Sequence, residues 1–127
     1  MAVLSPYRVL DLTRERALLC GQILADLGAD VIQVEPPGGA PARRRGPFLG
    51  DEPDLENSLY WWAFTRNKRS VVRDRDSGER QETLRHLVRR AHFLIESEDP
   101  GAMASRGLAY ADLAALNPGL VHVSITP

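Results

Sequence analysis

The chain has 127 residues, of which 43% are hydrophobic and 26% charged, and its formal net charge is -1. That size and composition suit one small globular domain, able to bury a core but with little stability in reserve. The near-neutral charge gives no electrostatic case for nucleic acid or an anionic membrane surface, and no apolar run approaches the ~20 residues of a membrane span.

Residues 7–12 (YRVLDL) are short and rich in branched and aliphatic side chains, and read as a buried strand. Thr13 is placed to cap a following helix, with Glu15 and Arg16 in its first turn. Leu19, Ile23 and Leu27 recur every four residues and define one apolar helical face. Gly28 then stands where a helix ends in left-handed backbone, and residues 31–34 (VIQV) form the next strand. Strand, helix, glycine and strand in so short a span predict a parallel βαβ unit.

A long break follows, because Pro36, Pro37, Gly38, Gly39 and Pro41 suit neither helix nor central strand. It carries Arg43, Arg44 and Arg45 and then an acidic stretch over 51–56. Residues 59–64 (LYWWAF) read as a short buried helix, 70–72 as a short strand and 74–78 as a turn. Over 79–91, Leu84, Leu87, Val88 and Ala91 take the i, i+3, i+4 and i+7 positions of an amphipathic helix. Residues 93–95 are a strand, Asp99-Pro100-Gly101 a turn, 110–116 a helix stopped by Asn117-Pro118-Gly119, and 120–125 (LVHVSI) the last strand. The order predicts an α/β fold, an open parallel sheet with helices on both faces.

Several functional classes find no support. Residues 1–6 have neither the basic nor the long apolar region of a signal peptide. The single cysteine, Cys20, cannot form an internal disulfide and reads as a small buried hydrophobe in a reducing, cytoplasmic setting. Gly38-Gly39 is not the GxGxxG fingerprint of a dinucleotide site. No Cys/His cluster has zinc spacing, so no metal is expected. His86, His92 and His122 have no partner at metal-ligand or triad spacing and read as structural. The Arg43-Arg44-Arg45 cluster reads first as a solvated loop and second as a phosphate contact. Trp61 and Trp62 read first as buried packing and second as a platform for an adenine ring. Lys68 and Arg69 fit a ligand contact and a structural ion pair equally well.

The ordered motifs carry a further signal. Val9-Leu10-Asp11-Leu12-Thr13 is followed by residues 24–39 (LADLGADVIQVEPPGG), then Ser58-Leu59-Tyr60, Asn67-Lys68-Arg69-Ser70 and Leu116-Asn117-Pro118-Gly119-Leu120-Val121. This series resembles the opening of the family III CoA transferases (CaiB/BaiF type), which include α-methylacyl-CoA racemase, and it spans nearly the whole chain. The resemblance implies a Rossmann-like domain, two chains interlocked in a dimer, and transfer of CoA between an acyl-CoA thioester and a carboxylic acid. In such transferases a carboxylate attacks the thioester; in the racemase branch an acid/base pair moves the α-proton. Both kinds of catalytic residue lie C-terminal to the matched region, so no catalytic residue is expected here. Residues 1–127 are expected to form one N-terminal domain, incomplete by itself, since the chain stops at Pro127 directly after a strand.

By the same resemblance, the CoA contacts fall on the loops after the strands. The corresponding positions here are Arg16, Ala17, Arg73, Arg75, Ser97, Ser105 and Arg106. Several depart from the family pattern. The Ala-Gly-Pro after the first strand has become part of Arg16-Ala17-Leu18-Leu19-Cys20; a lysine position holds Asp76; an aromatic one holds Glu98; and Ser105 stands for an arginine. Carboxylates at Asp76, Glu98 and Asp99 are expected to oppose CoA phosphates. Two readings follow: part of an enzyme that uses CoA or acyl-CoA as substrate, with no tightly bound cofactor, or a degenerate, non-catalytic partner of an active homologue. Its expected partners are a second family III chain or a missing C-terminal half, with neither nucleic acid nor membrane. A weaker third reading is an unrelated nucleotide binder.

Overall fold

The computed structural model describes residues 2–73 and 81–126. Five strands form one sheet: β1 (Arg8–Asp11), β2 (Asp30–Glu35), β3 (Arg69–Val72), β4 (Phe93–Glu96) and β5 (Val121–Ser124). The order is β3-β2-β1-β4-β5 and every pairing is parallel. The connections carry helices α1 (Leu18–Asp26), α2 (Leu59–Thr65), α3 (Glu82–Arg89), α4 (Ala102–Ser105) and α5 (Tyr110–Leu116). The expected open α/β sheet is therefore present. Strand alternation gives the central strands two buried faces. On one face, Leu10, Leu12, Ile32, Val34 and Leu94 meet Leu84 and Val88 of α3, Met103 of α4 and Leu113 of α5. On the other, Val9, Val31 and Ile95 meet Ala25 of α1.

The second face changes character along its length. Towards the C-terminal ends of the strands its inward positions become Asp11, Gln33 and Glu35, all buried. A buried polar group is tolerated when its hydrogen bonds are met, and each of these finds partners. Lys68, just before β3, reaches under α1 to Asp11 and Gln33. Glu35 is held by Arg43 and Ser70. A polar layer thus lies beneath the end of the sheet where ligands sit in folds of this kind.

Three local expectations are corrected. Thr13 does not cap a helix: its backbone N–H and its hydroxyl both donate to Asp11 Oδ1, at 2.9 and 2.5 Å. A short 3-10 turn, Glu15–Ala17, comes first, and the α-helix starts only at Leu18. Leu19, Ile23 and Leu27 are not the packed face of α1, being 53%, 50% and 48% exposed; Leu18, Gly21, Gln22 and Ala25 are buried instead. The helix lies close on the sheet through its small residues, because a Cβ on Gly21 would stand only 1.9 Å from Asp11 Oδ2. The short helix α4 was not anticipated.

Elsewhere the boundaries agree closely. Gly28 ends α1 with φ +100°. Ser58 caps α2 by accepting from the Trp61 N–H at 3.0 Å. The amide of Asn117 donates to the Val88 and Ala91 carbonyls at 2.9 and 2.8 Å, so the residue that stops α5 also satisfies the end of α3. The turn expected over 74–78 lies outside the described residues.

Candidate functional site

Strand order reverses between β1 and β4, and the crevice outside their C-terminal ends is where ligands bind in open α/β sheets. The loops leaving these strands are tied together there. The Arg14 N–H donates to Ser97 Oγ at 2.9 Å. Glu98, only 7% exposed, lies between two guanidinium groups: Arg14 Nε is 3.3 Å from Oε1, and Arg106 Nη1 is 3.4 Å from Oε2. The Glu98 N–H donates to Glu96 Oε2 at 2.7 Å, which fixes the loop backbone. On the rim, Arg16 approaches Asp99 at 3.7 Å with both side chains exposed.

Two cavities flank this knot and differ in charge. One, of about 420 Å³, lies towards β2 and is lined by Thr13, Arg14, Arg16, Pro36, Ala40 and Trp61 among others. The other, of about 300 Å³, lies towards β5 and contains Glu96, Glu98, Asp99, Tyr110, His122 and Ser124. The first has two arginines and one carboxylate, Glu15, on its wall, and the second three carboxylates and no arginine. In the second, His122 Nε2 is 3.5 Å from Glu96 Oε1, and neither side chain is more than slightly exposed.

Of the positions singled out from the sequence, the structure gathers Arg16, Ala17, Ser97 and Arg106 around the β1–β4 crevice. Ala17 is buried in the 3-10 turn and contributes backbone. Arg73 follows β3, two strands from β1, and its Nη1 donates to the Val72 carbonyl at 2.6 Å. The Ser105 hydroxyl is turned back onto the Ala102 carbonyl at 2.8 Å. Arg75 and Asp76 lie outside the described residues. The sequence reading missed Arg14; its place directly after the β1 loop residue Thr13 was the available signal.

The structure also shows the contacts of the residues read two ways. Lys68 is buried, and its Nζ donates to Asp11 Oδ2 at 2.8 Å, Gln33 Oε1 at 2.9 Å and the Leu18 carbonyl at 3.0 Å. All three ammonium donors are used, so the residue is structural. Arg69 forks onto Asp30, with both bonds at 2.8 Å. The Arg43-Arg44-Arg45 cluster is not simply solvated. Arg43 is largely buried, bonds Glu35 through two nitrogens and lies 4.5 Å from the Trp61 ring centroid. Arg45 stacks on Tyr60 at 4.4 Å. Trp61 is buried as expected, but Trp62 is 43% exposed.

Burial pushes the Glu35 carboxyl up, but hydrogen bonds from Arg43, Ser70 and the Ala40 N–H, with the Arg43 charge, outweigh it and leave its pKa below the ordinary value. Cys20 is half-buried; burial and then the Asp11 charge hold its thiol pKa above the ordinary value, against the opposing charge of Lys68. Among the described residues no three His, Cys, Asp or Glu side chains form a group able to hold a metal ion, and no helix is long and apolar enough to cross a membrane.

Comparison with known proteins places this geometry. The sequence profile of CoA-transferase family III matches residues 4–127. The chain is 44% identical to succinate–glutarate CoA-transferase of Agrobacterium fabrum over 127 aligned residues, 97% of this chain and 32% of the relative. It is 38% identical to the succinyl-CoA:(R)-benzylsuccinate CoA-transferase subunit BbsE of Thauera aromatica, covering 97% of this chain and 30% of that one. Among solved structures, a CAIB/BAIF family protein from Brucella suis superposes with a TM-score of 0.87 at 38% identity, over 98% of this chain and 33% of its own. The chain spans about a third of the length of these relatives. With the strand order, the ordered motifs and the profile in agreement, this chain belongs to CoA-transferase family III.

Proposed function

We propose that this chain supplies the nucleotide-fold part of an enzyme that transfers CoA between an acyl-CoA thioester and a carboxylic acid. Its share of the work is to receive the charged end of the thioester. The observation that carries this reading is the cavity at the C-terminal ends of β1 and β2, walled by Arg14 and Arg16, in a family III chain. CoA phosphates need cations and backbone donors, and of the two cavities that flank the β1–β4 crevice this is the one with arginines on its wall. In this reading Arg16, Ala17, Ser97 and Arg106 border the ligand, and Arg73 and Arg75 stay candidate phosphate contacts on the strength of the family resemblance alone. Similar proteins exchange CoA between small acids, such as succinate and glutarate in one and formate and oxalate in another. A small carboxylic acid is accordingly proposed as acceptor.

The attacking carboxylate is supplied from outside residues 1–127, by the remainder of the protein or by a second family III chain in a cytoplasmic dimer. Asp11 is unsuited to that role, because it is fully buried and held by Lys68 and Thr13. The test is a chimera in which this chain replaces the matching third of the Agrobacterium fabrum enzyme. A folded chimera that binds CoA and turns over that enzyme's own substrates supports the reading. A folded chimera that binds no CoA overturns it.

A second reading is a non-catalytic partner, favoured by Glu98, which engages two of the arginines that would otherwise meet a phosphate. It expects the same chimera to fold without turnover, and the chain alone to co-purify with an intact family member.

A further inference from the structure

We propose that Glu98 is an internal counter-anion that holds Arg14 and Arg106 closed, so that it decides whether the β1–β4 crevice accepts a phosphate. The simple expectation is that a carboxylate here repels an anionic ligand. The geometry points to something more specific. Among the described residues, each Glu98 oxygen faces an arginine from a different loop, at 3.3 Å to Arg14 and 3.4 Å to Arg106. The Glu98 side chain is 7% exposed and that of Arg106 25%, so their contact is less screened than a surface pair, while Arg14, 49% exposed, meets the same carboxylate from the solvent side. Its backbone N–H is pinned to Glu96, so the loop cannot swing the carboxylate aside freely. The neighbouring pair of Arg16 and Asp99 is longer and exposed, and leaves Arg16 available to a ligand.

A phosphate entering the crevice therefore competes with Glu98 for the charge of Arg14 and Arg106. The apparent affinity falls by the fraction of molecules in which the arginines are free. Ligands without phosphate do not meet this penalty. Glu98 thus acts as a specificity-determining residue, set against polyanionic ligands and neutral towards an uncharged arm. The inference rests on the CoA reading only for the identity of the ligand; the closed arginine pair stands on the geometry.

The experiment is calorimetric titration of the wild-type chain and Glu98→Gln with pyrophosphate, CoA and pantetheine, with circular dichroism confirming the fold. Glu98→Gln is expected to bind pyrophosphate and CoA roughly tenfold tighter or more, with a steeper loss in salt, and to bind pantetheine as wild type does. Adding Arg106→Gln to that variant should remove most of the gain. Tighter pyrophosphate binding without tighter CoA binding would uphold the closed pair and count against the CoA reading. Unchanged or weaker pyrophosphate binding by folded Glu98→Gln would overturn the proposal. Should the variant not fold, the wild-type chain gives the answer by NMR. The Arg14 and Arg106 guanidinium resonances should stay in place into the millimolar range of pyrophosphate; movement at micromolar concentration would show an open pair and overturn it.

Discussion

Lys68 Nζ lies 2.8 Å from Asp11 Oδ2, with the two side chains 1% and 0% exposed, and this pair joins β1 to the segment entering β3 beneath α1. Asp11 accepts from Thr13 as well, and Lys68 donates to Gln33 and Leu18. Burying two charges is costly, and such a pair persists only when the remaining donors and acceptors are met, as they are here. The pair holds the start of the β1 loop, and hence Arg14, in place.

Lys68→Met should leave the Asp11 carboxylate buried without its cation. The expected cost is about 3–5 kcal/mol, read as a fall in the denaturant midpoint. Asp11→Asn should cost less in the Lys68→Met background than in wild type, because the two residues act as one unit. Additive losses would show that the pair is not coupled.

Gly21→Ala introduces a Cβ 1.9 Å from Asp11 Oδ2 and 3.1 Å from Lys68 Nζ. Alanine normally favours a helix, so the residue's own propensity would predict a gain. The structure predicts a loss of about 1–3 kcal/mol from overpacking against the pair. A melting temperature equal to or above wild type would refute the close approach of α1 to β1.

Glu35 gives a pH-dependent test. Its folded pKa lies below the ordinary 4.5, so its contribution to stability is fully present above that value. The contribution is lost as pH falls through the depressed folded value. Urea midpoints of wild type and Glu35→Gln should therefore differ most at neutral pH and converge on acidification below pH 4.5. A gap that persists unchanged into strong acid would show that the Arg43 and Ser70 contacts do not favour the ionised form.

The two apolar stripes of α1 should respond differently to truncation. Leu18 is fully buried against Ala40, Ala42 and Trp61, so Leu18→Ala should cost about 2–5 kcal/mol. Leu19→Ser and Ile23→Ser, at half-exposed positions, should stay within about 0.5–1 kcal/mol. Equal losses in thermal unfolding would return the packed face to the Leu19–Ile23–Leu27 stripe.

Much of this architecture was legible in the sequence, because short-range signals carry it. Among the described residues, short apolar runs, helical spacing and turn residues placed all five strands and four of the five helices, with helix 110–116 matching α5 to the residue. Gly28 and Asn117-Pro118-Gly119 marked their turns because backbone conformation is a local property. The ordered motifs, taken together, marked the family.

The site was less legible, because its decisive relationships run between residues far apart in the chain. Lys68 could be ligand contact or structural cation until the fold buried it against Asp11, 57 positions away. The arginines of 43–45 read as solvated because charge runs usually are, yet the fold set Arg43 on Glu35 and Trp61. Periodicity showed that α1 has an apolar stripe but not which stripe meets the sheet; the contact of Gly21 with Asp11 decided that. Glu98 was legible as an acidic departure, but not its place between Arg14 and Arg106, since three separate loops must converge to make it. Local sequence thus determined the elements and their order. Burial, which pairs distant charges and selects one face of a helix over another, was decided only by tertiary structure.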